Sequence, residues 1–437
     1  MKNQKINRRN FLAFASMGIA GAGISNGMIH IKQDEQPLRI KEFRTLGRTG
    51  FKVSDIGCGP AVMNNENLLK AVLRAGVNII ETAEFYGNGN NELLVGRSIG
   101  EFDRKSLFIN TKLIIRQTDT REQIVDRVRK CLERMKTDYL DGMMLWNPSS
   151  ALEVKNTEFH EAFDQLKEEG RVRFRGVSCH GTEYNTESKD NMEKIICSAV
   201  EDGRFDLALF VYNYVQREMG ENILKACGDK NVGAILMKTD PFGKGYMDVL
   251  EKIKTYNEAQ KTIPDNLKSR YEKVIEKQKK SEEFLSNHPE YNGKTKTEAA
   301  IAFLLDNPAV SSVIISFRTF NDIDEYIGLS GLRSTTATKN MRNELLENFG
   351  HLYCRHACGI CEKNCPNNVP VNTIMRFNHY YMGQGREKYA MQQYKLIEKN
   401  NASLCSNCAG YCETECPYGV SIHALLEIAH QNLILQV

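Results

Sequence analysis

Ile56-Gly57-Cys58-Gly59-Pro60 closes the first strand-like run of the 437-residue chain, and its spacing decides between two folds. A doubly wound sheet that binds a dinucleotide needs a phosphate-cradling glycine turn after its first strand, with three glycines opening a helix. Here Pro60 follows Gly59, and the third glycine is missing. Outward from this point, short strand-like runs alternate with amphipathic helical stretches. The strand candidates are Val53–Gly57, Asn78–Thr82, Ser106–Leu113, Tyr139–Leu145, Val172–Ser178, Phe205–Tyr212, Val232–Lys238 and Ser311–Ser316. Helical periodicity marks Arg121–Met135, Glu158–Glu169, Asp190–Val200 and Glu298–Asn307. Eight strand-then-helix units over roughly 290 residues predict a (β/α)8 TIM barrel, placed at 41–335. Within it, 242–295 reads as a charged, helix-prone insertion after the seventh strand, with a short apolar stripe of Leu267, Tyr271, Val274 and Ile275. Loops at that end sit on the catalytic face, so the insertion is either a lid, a partner-docking element or a passive surface addition.

The formal net charge is +3, and no basic stripe runs through the chain, which argues against nucleic acid as a partner. Near the N-terminus, Asn7-Arg8-Arg9-Asn10-Phe11-Leu12 precedes an apolar, small-residue run to about Ile24. That run is too short to span a bilayer. Paired arginines followed by Phe-Leu resemble a twin-arginine export signal. The expectation is a signal over 1–27, a polar linker over 28–40, a periplasmic destination, and membrane contact only in transit.

Eight of the 13 cysteines fall between Cys354 and Cys416. The first quartet reads Cys354-x3-Cys358-x2-Cys361-x3-Cys365-Pro366, the second Cys405-x2-Cys408-x3-Cys412-x3-Cys416-Pro417. Three closely spaced thiolates can wrap one face of a cubane, while the later cysteine closes a neighbouring one and proline turns the chain away. The sequence after each Cys-Pro also repeats, with Val369, Val371 and Ile374 matched by Val420, Ile422 and Leu425. Two [4Fe–4S] clusters are expected, one on Cys354, Cys358, Cys361 and Cys416, the other on Cys405, Cys408, Cys412 and Cys365. Structural zinc and disulfides are the competing readings. With Thr373–Ala402 reading as helical, 340–437 is expected to be a small, mainly helical domain, and it resembles two-cluster ferredoxin modules. The remaining cysteines are scattered and read as packing residues.

The barrel region resembles the aldo-keto reductase family, in a branch that carries a twin-arginine signal and a C-terminal two-cluster domain. The resemblance rests on Gly76-x-Asn78-x2-Glu81-Thr82-Ala83-Glu84-x-Tyr86-Gly87-Asn88, Thr111-Lys112, Asp138-Tyr139-Leu140-Asp141, Gly176-Val177-Ser178 and Tyr212-Asn213. It implies carbonyl reduction with hydride from NADPH, a tyrosine acid, a lysine that lowers its pKa, a carboxylate paired with the lysine, and a histidine that directs the carbonyl. Residue by residue, these positions hold Tyr86, Lys112, Glu81 and Trp146. Glu81 replaces the family's aspartate. Trp146, the only tryptophan, replaces the histidine and can donate a hydrogen bond but not titrate.

The nicotinamide side departs further. Ser178-Cys179 stands where the family has Ser-Asn, and Leu209 replaces a glutamine, so carboxamide contacts are lost. His180 follows as a substitute acid, and Arg318 remains to meet a 2′-phosphate. Glu325-Tyr326 stands where the family has Glu-Asn. These changes put NADP(H) use in doubt.

The leading expectation is an exported iron–sulfur oxidoreductase acting on a small carbonyl or alcohol, such as a sugar, with electrons passing to or from a redox partner protein. Its alternatives are NADPH-dependent carbonyl reduction by Tyr86 with structural clusters, and a non-enzymatic electron-transfer protein.

Overall fold

The computed structural model describes residues 38–181, 190–242 and 265–434, without the side chains of 265–271 and Val274. The expected signal and nearly all of the linker lie outside the described residues. So do Leu267, Tyr271 and Val274 of the insertion's stripe, as side chains.

The chain opens with an antiparallel pair, β1 (Phe43–Thr45) and β2 (Lys52–Ser54). Eight parallel strands follow: β3 (Ile56–Cys58), β4 (Ile79–Glu81), β5 (Phe108–Leu113), β6 (Leu140–Trp146), β7 (Val172–Cys179), β8 (Leu207–Val211), β9 (Gly233–Met237) and β10 (Val310–Ile315). They close into a barrel in that order, β10 pairing with β3. The run Val53–Gly57, expected as one strand, is two. Buried Asp55 separates β2 from β3 and accepts hydrogen bonds from Ser330 Oγ and Gly331 N, both at 2.7 Å.

Barrel strands covered on both faces read as continuous apolar runs rather than alternations. β6 is buried at every position. Inside the barrel, Leu46, Val53, Ile79, Phe108, Met144, Leu207, Leu209 and Ile235 form one cluster. Leu46 and Val53 come from the β1–β2 hairpin, which therefore closes the N-terminal end.

Gly47, in the loop of that hairpin, has φ +49, and a Cβ there would lie 2.7 Å from the Asn231 carbonyl oxygen. Gly47→Ala is expected to destabilise the barrel by ~2 kcal/mol or more, read as a lower urea midpoint at unchanged slope.

The helices follow local chemistry. Thr120 caps Arg121–Met135 in a reciprocal capping box with Gln123, and the helix stops at Lys136 in the left-handed region. Ile124, Val128, Cys131 and Met135 recur on its buried face.

The family-type motif around Asp141 lies at the start of β6, the N-terminal end of the barrel. Asp141 accepts from Ile109 N at 3.0 Å and pairs with Arg104 at 2.8 Å and Arg173 at 3.2 Å. The two guanidiniums lie 4.0 and 3.8 Å from the Tyr139 ring centroid. This is a stabilising cluster on the face away from the strand C-termini.

Beyond the barrel, helix Thr336–Phe349 leads to a module built on helices Val371–Gln384, Glu387–Lys395 and Ile422–Leu433. Its core is continuous with the barrel, because Tyr214, Val215, Phe242, Ala299 and Ala300 pack in the same cluster as Leu345, Phe349, Ile374 and Leu426. The described part of the insertion, helix Asp265–Asn287, packs on this module. Ser281 Oγ donates to the Asn348 carbonyl at 2.7 Å, and Phe284 meets Phe349 at 6.1 Å. Among the described residues, no helix is long and apolar enough to cross a membrane.

Candidate functional site

The C-terminal ends of neighbouring strands bring Glu81 (end of β4), Lys112 (β5), Trp146 (end of β6) and Ser178-Cys179 (end of β7) to one mouth, where Tyr86 and His180 join them from the following loops. Lys112 and Glu81, only 1 % and 5 % exposed, form a direct ion pair. Lys112 Nζ also donates to the Thr82 carbonyl at 2.8 Å and lies 4.6 Å from the Tyr86 ring centroid. Burial pushes the Lys112 ammonium well below its ordinary value, and the Glu81 carboxylate opposes that by giving the charge a partner. Burial likewise pushes the Tyr86 phenol up, while the Arg386 charge pulls it down.

Trp146 is 8 % exposed, packed against Phe85 at 4.6 Å and edge-on to His180 at 5.5 Å between ring centroids. Among the described residues its indole N–H has no hydrogen-bond partner, nor do His180 Nδ1 and Ser178 Oγ. The His180 backbone N–H donates to Asn147 Oδ1 at 3.2 Å, which fixes the loop. Desolvation, then the Lys238, Arg376 and Lys112 charges, push the His180 imidazole well below its usual range. It is therefore a neutral imidazole at this mouth. Burial pushes the Cys179 thiol up to about 11, so it is no ready nucleophile.

Sequence reading missed the residues that close this mouth from the C-terminal module. Lys238, just past β9, has φ +52 and reaches His356 Nδ1 at 3.1 Å. His356 stands 5.1 Å from His379 between ring centroids, and Lys238 Nζ lies 5.1 Å from the Tyr380 ring centroid. The backbone of His356 is clamped by Gln216, whose side chain donates to its carbonyl and accepts from its N–H, both at 2.7 Å. Asn213 Nδ2 donates to Tyr353 Oη at 3.1 Å. Arg318 donates to the Gln384 carbonyl at 2.8 Å, so the residue kept for a 2′-phosphate is engaged by the module. A lysine closing the apolar run Val232–Lys238 was the one sequence signal for this set. Leu209 lies in the barrel-interior cluster, 2 % exposed.

The cysteine quartets interleave. Cys354 lies within electrostatic reach of the Cys358, Cys361 and Cys416 thiols and Cys405 of Cys412, Cys365 and Cys408, with Cys361 and Cys412 where the two sets adjoin. Burial, then the Glu413 carboxylate at Cys412 and neighbouring thiols at both, push the Cys405 and Cys412 thiols up to about 12. All 13 cysteines are outside disulfides. Cys354, Cys358, Cys361 and Cys416 line one pocket, together with apolar groups including Val371, Val420 and Ile422. Among the described residues, no three His, Cys, Asp or Glu side chains converge tightly enough for a single metal ion. Four thiols around one pocket have the donor chemistry of a cluster ligand set.

The backbone repeats with the sequence. Gly359 and Gly410, both left-handed, precede the helical turns carrying Cys361 and Cys412. After each Cys-Pro, Asn368 N and Gly419 N donate back to the Cys365 and Cys416 carbonyls at 3.1 and 3.3 Å. Amide N–H groups also reach sulfur: Val369 N to Cys365 at 3.3 Å and Gly410 N to Cys408 at 3.4 Å. Such bonds favour a charged sulfur.

Residues 62–342 match the model of the aldo/keto reductase family, and the match ends before the first quartet. The uncharacterized oxidoreductase YqkF of Bacillus subtilis is 25% identical over 309 residues, 67% of this chain and 92% of that protein. The aldo-keto reductase YhdN of the same organism is 21% identical over 333 residues, 70% of this chain and 94% of its own length. Among solved structures, the aldo-keto reductase AKR11C1 from Bacillus halodurans in its holo form aligns with a TM-score of 0.49 at 18% identity, covering 70% of this chain and 96% of that one. The chain belongs to the aldo/keto reductase family, through a family match that takes in every strand of its barrel from β4 to β10.

Proposed function

We propose that the protein is an exported iron–sulfur oxidoreductase that acts on a small carbonyl or alcohol at the barrel mouth, with electrons exchanged with a redox partner protein through two [4Fe–4S] clusters. The observation that carries this reading is the closure of the mouth by the cysteine-bearing module. Tyr353 and His356, on the loop that also bears Cys354 and Cys358, bond Asn213, Gln216 and Lys238. The ligand-bearing loop therefore packs directly on the barrel's reacting end.

Bound clusters would supply single electrons, and a carbonyl/alcohol couple takes two of them with two protons, the oxygen's held by Tyr86 and the carbon's exchanged with solvent. Tyr86 holds the proton for the substrate oxygen, and Lys112, kept in place by Glu81 and Thr82, stabilises the phenolate left behind. Trp146 Nε1–H is the donor that orients that oxygen. The module over the mouth excludes water, which strengthens each of these contacts. Export through the twin-arginine route agrees with a cofactor loaded before translocation.

The intact Tyr86–Lys112–Glu81 group favours one second reading, NADPH-dependent carbonyl reduction with structural clusters. Titrating anaerobically purified protein with NADPH, while recording nicotinamide fluorescence and cluster EPR, separates the two. The proposal expects no saturable nucleotide signal; stoichiometric binding with hydride transfer to a carbonyl would establish the second reading instead.

A further inference from the structure

Glu81 at the mouth is paired with Lys112, and the charged side chains that act on Lys238 are cationic. Lys238 feels Arg376 and Arg386 from the C-terminal module and the Cys179 thiol from β7, and no carboxylate among the described residues acts on it. Arg376 lies against Gly181, where a side chain at that glycine would be, and Arg386 stacks over Tyr389 at 4.2 Å and Tyr380 at 5.2 Å. Lys112 is already neutralised by Glu81. Burial, then the Arg376 and Arg386 charges, push the Lys238 ammonium well below its ordinary value; when protonated it has three donors and uses one on His356. The left-handed backbone of Lys238 is held by Asn213 Nδ2, which donates to its carbonyl at 2.9 Å. A strained, non-glycine residue locked in place at a strand end is a feature of binding sites. His180, on which the Lys238 charge acts, stands 5.5 Å from Trp146 between ring centroids, and the Trp146 indole is a donor nine-tenths buried with no partner among the described residues.

We propose that the substrate carries an anionic oxygen group, a carboxylate or phosphate, bound by Lys238, while Trp146 Nε1 donates to the neighbouring oxygen that reacts. This rests on the reading of the mouth as the substrate site, and replaces a neutral sugar with an anionic carbonyl or alcohol. The cost of burying Lys238 beside two guanidiniums is relieved when such a group arrives, so affinity is concentrated on anions.

Trp146 is the only tryptophan, so its emission reports the site directly. The full-length protein with its metal is titrated with oxamate and with dihydroxyacetone phosphate, each against its neutral counterpart, oxamide or dihydroxyacetone. At least one anion is expected to bind roughly tenfold or more tightly than its counterpart. The anion that does so identifies the carboxylate or phosphate class. Lys238→Met erases that preference, and Lys238→Arg keeps it, with iron content unchanged in both. Equal binding of anions and neutral molecules by the wild type, which needs no variant, overturns the proposal, as does a preference that survives Lys238→Met. Absence of iron would count against the cluster reading alone, since the anion preference is measured independently of it.

Discussion

Cys354→Ser and Cys416→Ser, far apart in sequence, are expected to remove the same cluster. Each variant falls from about eight irons per chain to about four, and the double variant falls no further. Pairing Cys354→Ser with Cys412→Ser instead takes iron towards zero. The reason is geometric: Cys416, from the second quartet, stands with Cys354, Cys358 and Cys361 around one cavity, while Cys365 crosses to the other set. If each quartet held its own metal, Cys354→Ser with Cys416→Ser would lose everything. Iron and acid-labile sulfide assays on the four proteins decide the matter. Oxidoreductase turnover should vanish with loss of either cluster, because the electron route is then broken.

The second large effect belongs to Tyr86. Tyr86→Phe keeps the ring that packs beside Phe85 at 5.0 Å and removes only the hydroxyl. A lost general acid lowers kcat by ~10²–10⁴-fold, with KM, iron content and stability near wild type. Lys112→Met behaves differently. It strands Glu81 as a buried, unpaired carboxylate, which costs ~3–5 kcal/mol of stability in addition to activity. Replacing both, as Lys112→Met with Glu81→Leu, restores much of the stability and none of the turnover. Denaturant midpoints and steady-state kinetics on the same preparations separate these outcomes.

Much of the barrel was legible because its strands obey a strong physical rule. A strand buried on both faces has to be apolar throughout, and the runs from Tyr139–Leu145 to Ser311–Ser316 each fall within a residue or two of a strand. The hairpin at the N-terminal end escaped notice because Val53 and Ile56 flank only Ser54 and Asp55. That aspartate looked like an interruption in one strand, whereas its bonds to Ser330 and Gly331 make it the joint between two.

The mouth divides in the same way. Glu81, Tyr86, Lys112 and Trp146 sit at strand ends marked by local motifs, so their convergence could be read from a linear pattern. His356, Arg376 and Arg386 could not. They reach Lys238 only because a separate module packs on the barrel, through pairs such as Asn213–Tyr353 and Gln216–His356. Neither periodicity nor spacing records such long-range contacts. The cysteine repeat was legible as a repeat, since each Cys-Pro is followed by the same turn in sequence and in backbone.

The central claim is that the two interleaved thiol sets hold iron–sulfur clusters beside the barrel's reacting end. Its most direct test is a metal and sulfide count on the full-length protein purified without oxygen. The account predicts about eight irons and about eight acid-labile sulfides per chain. Two zinc ions with no labile sulfide would contradict it.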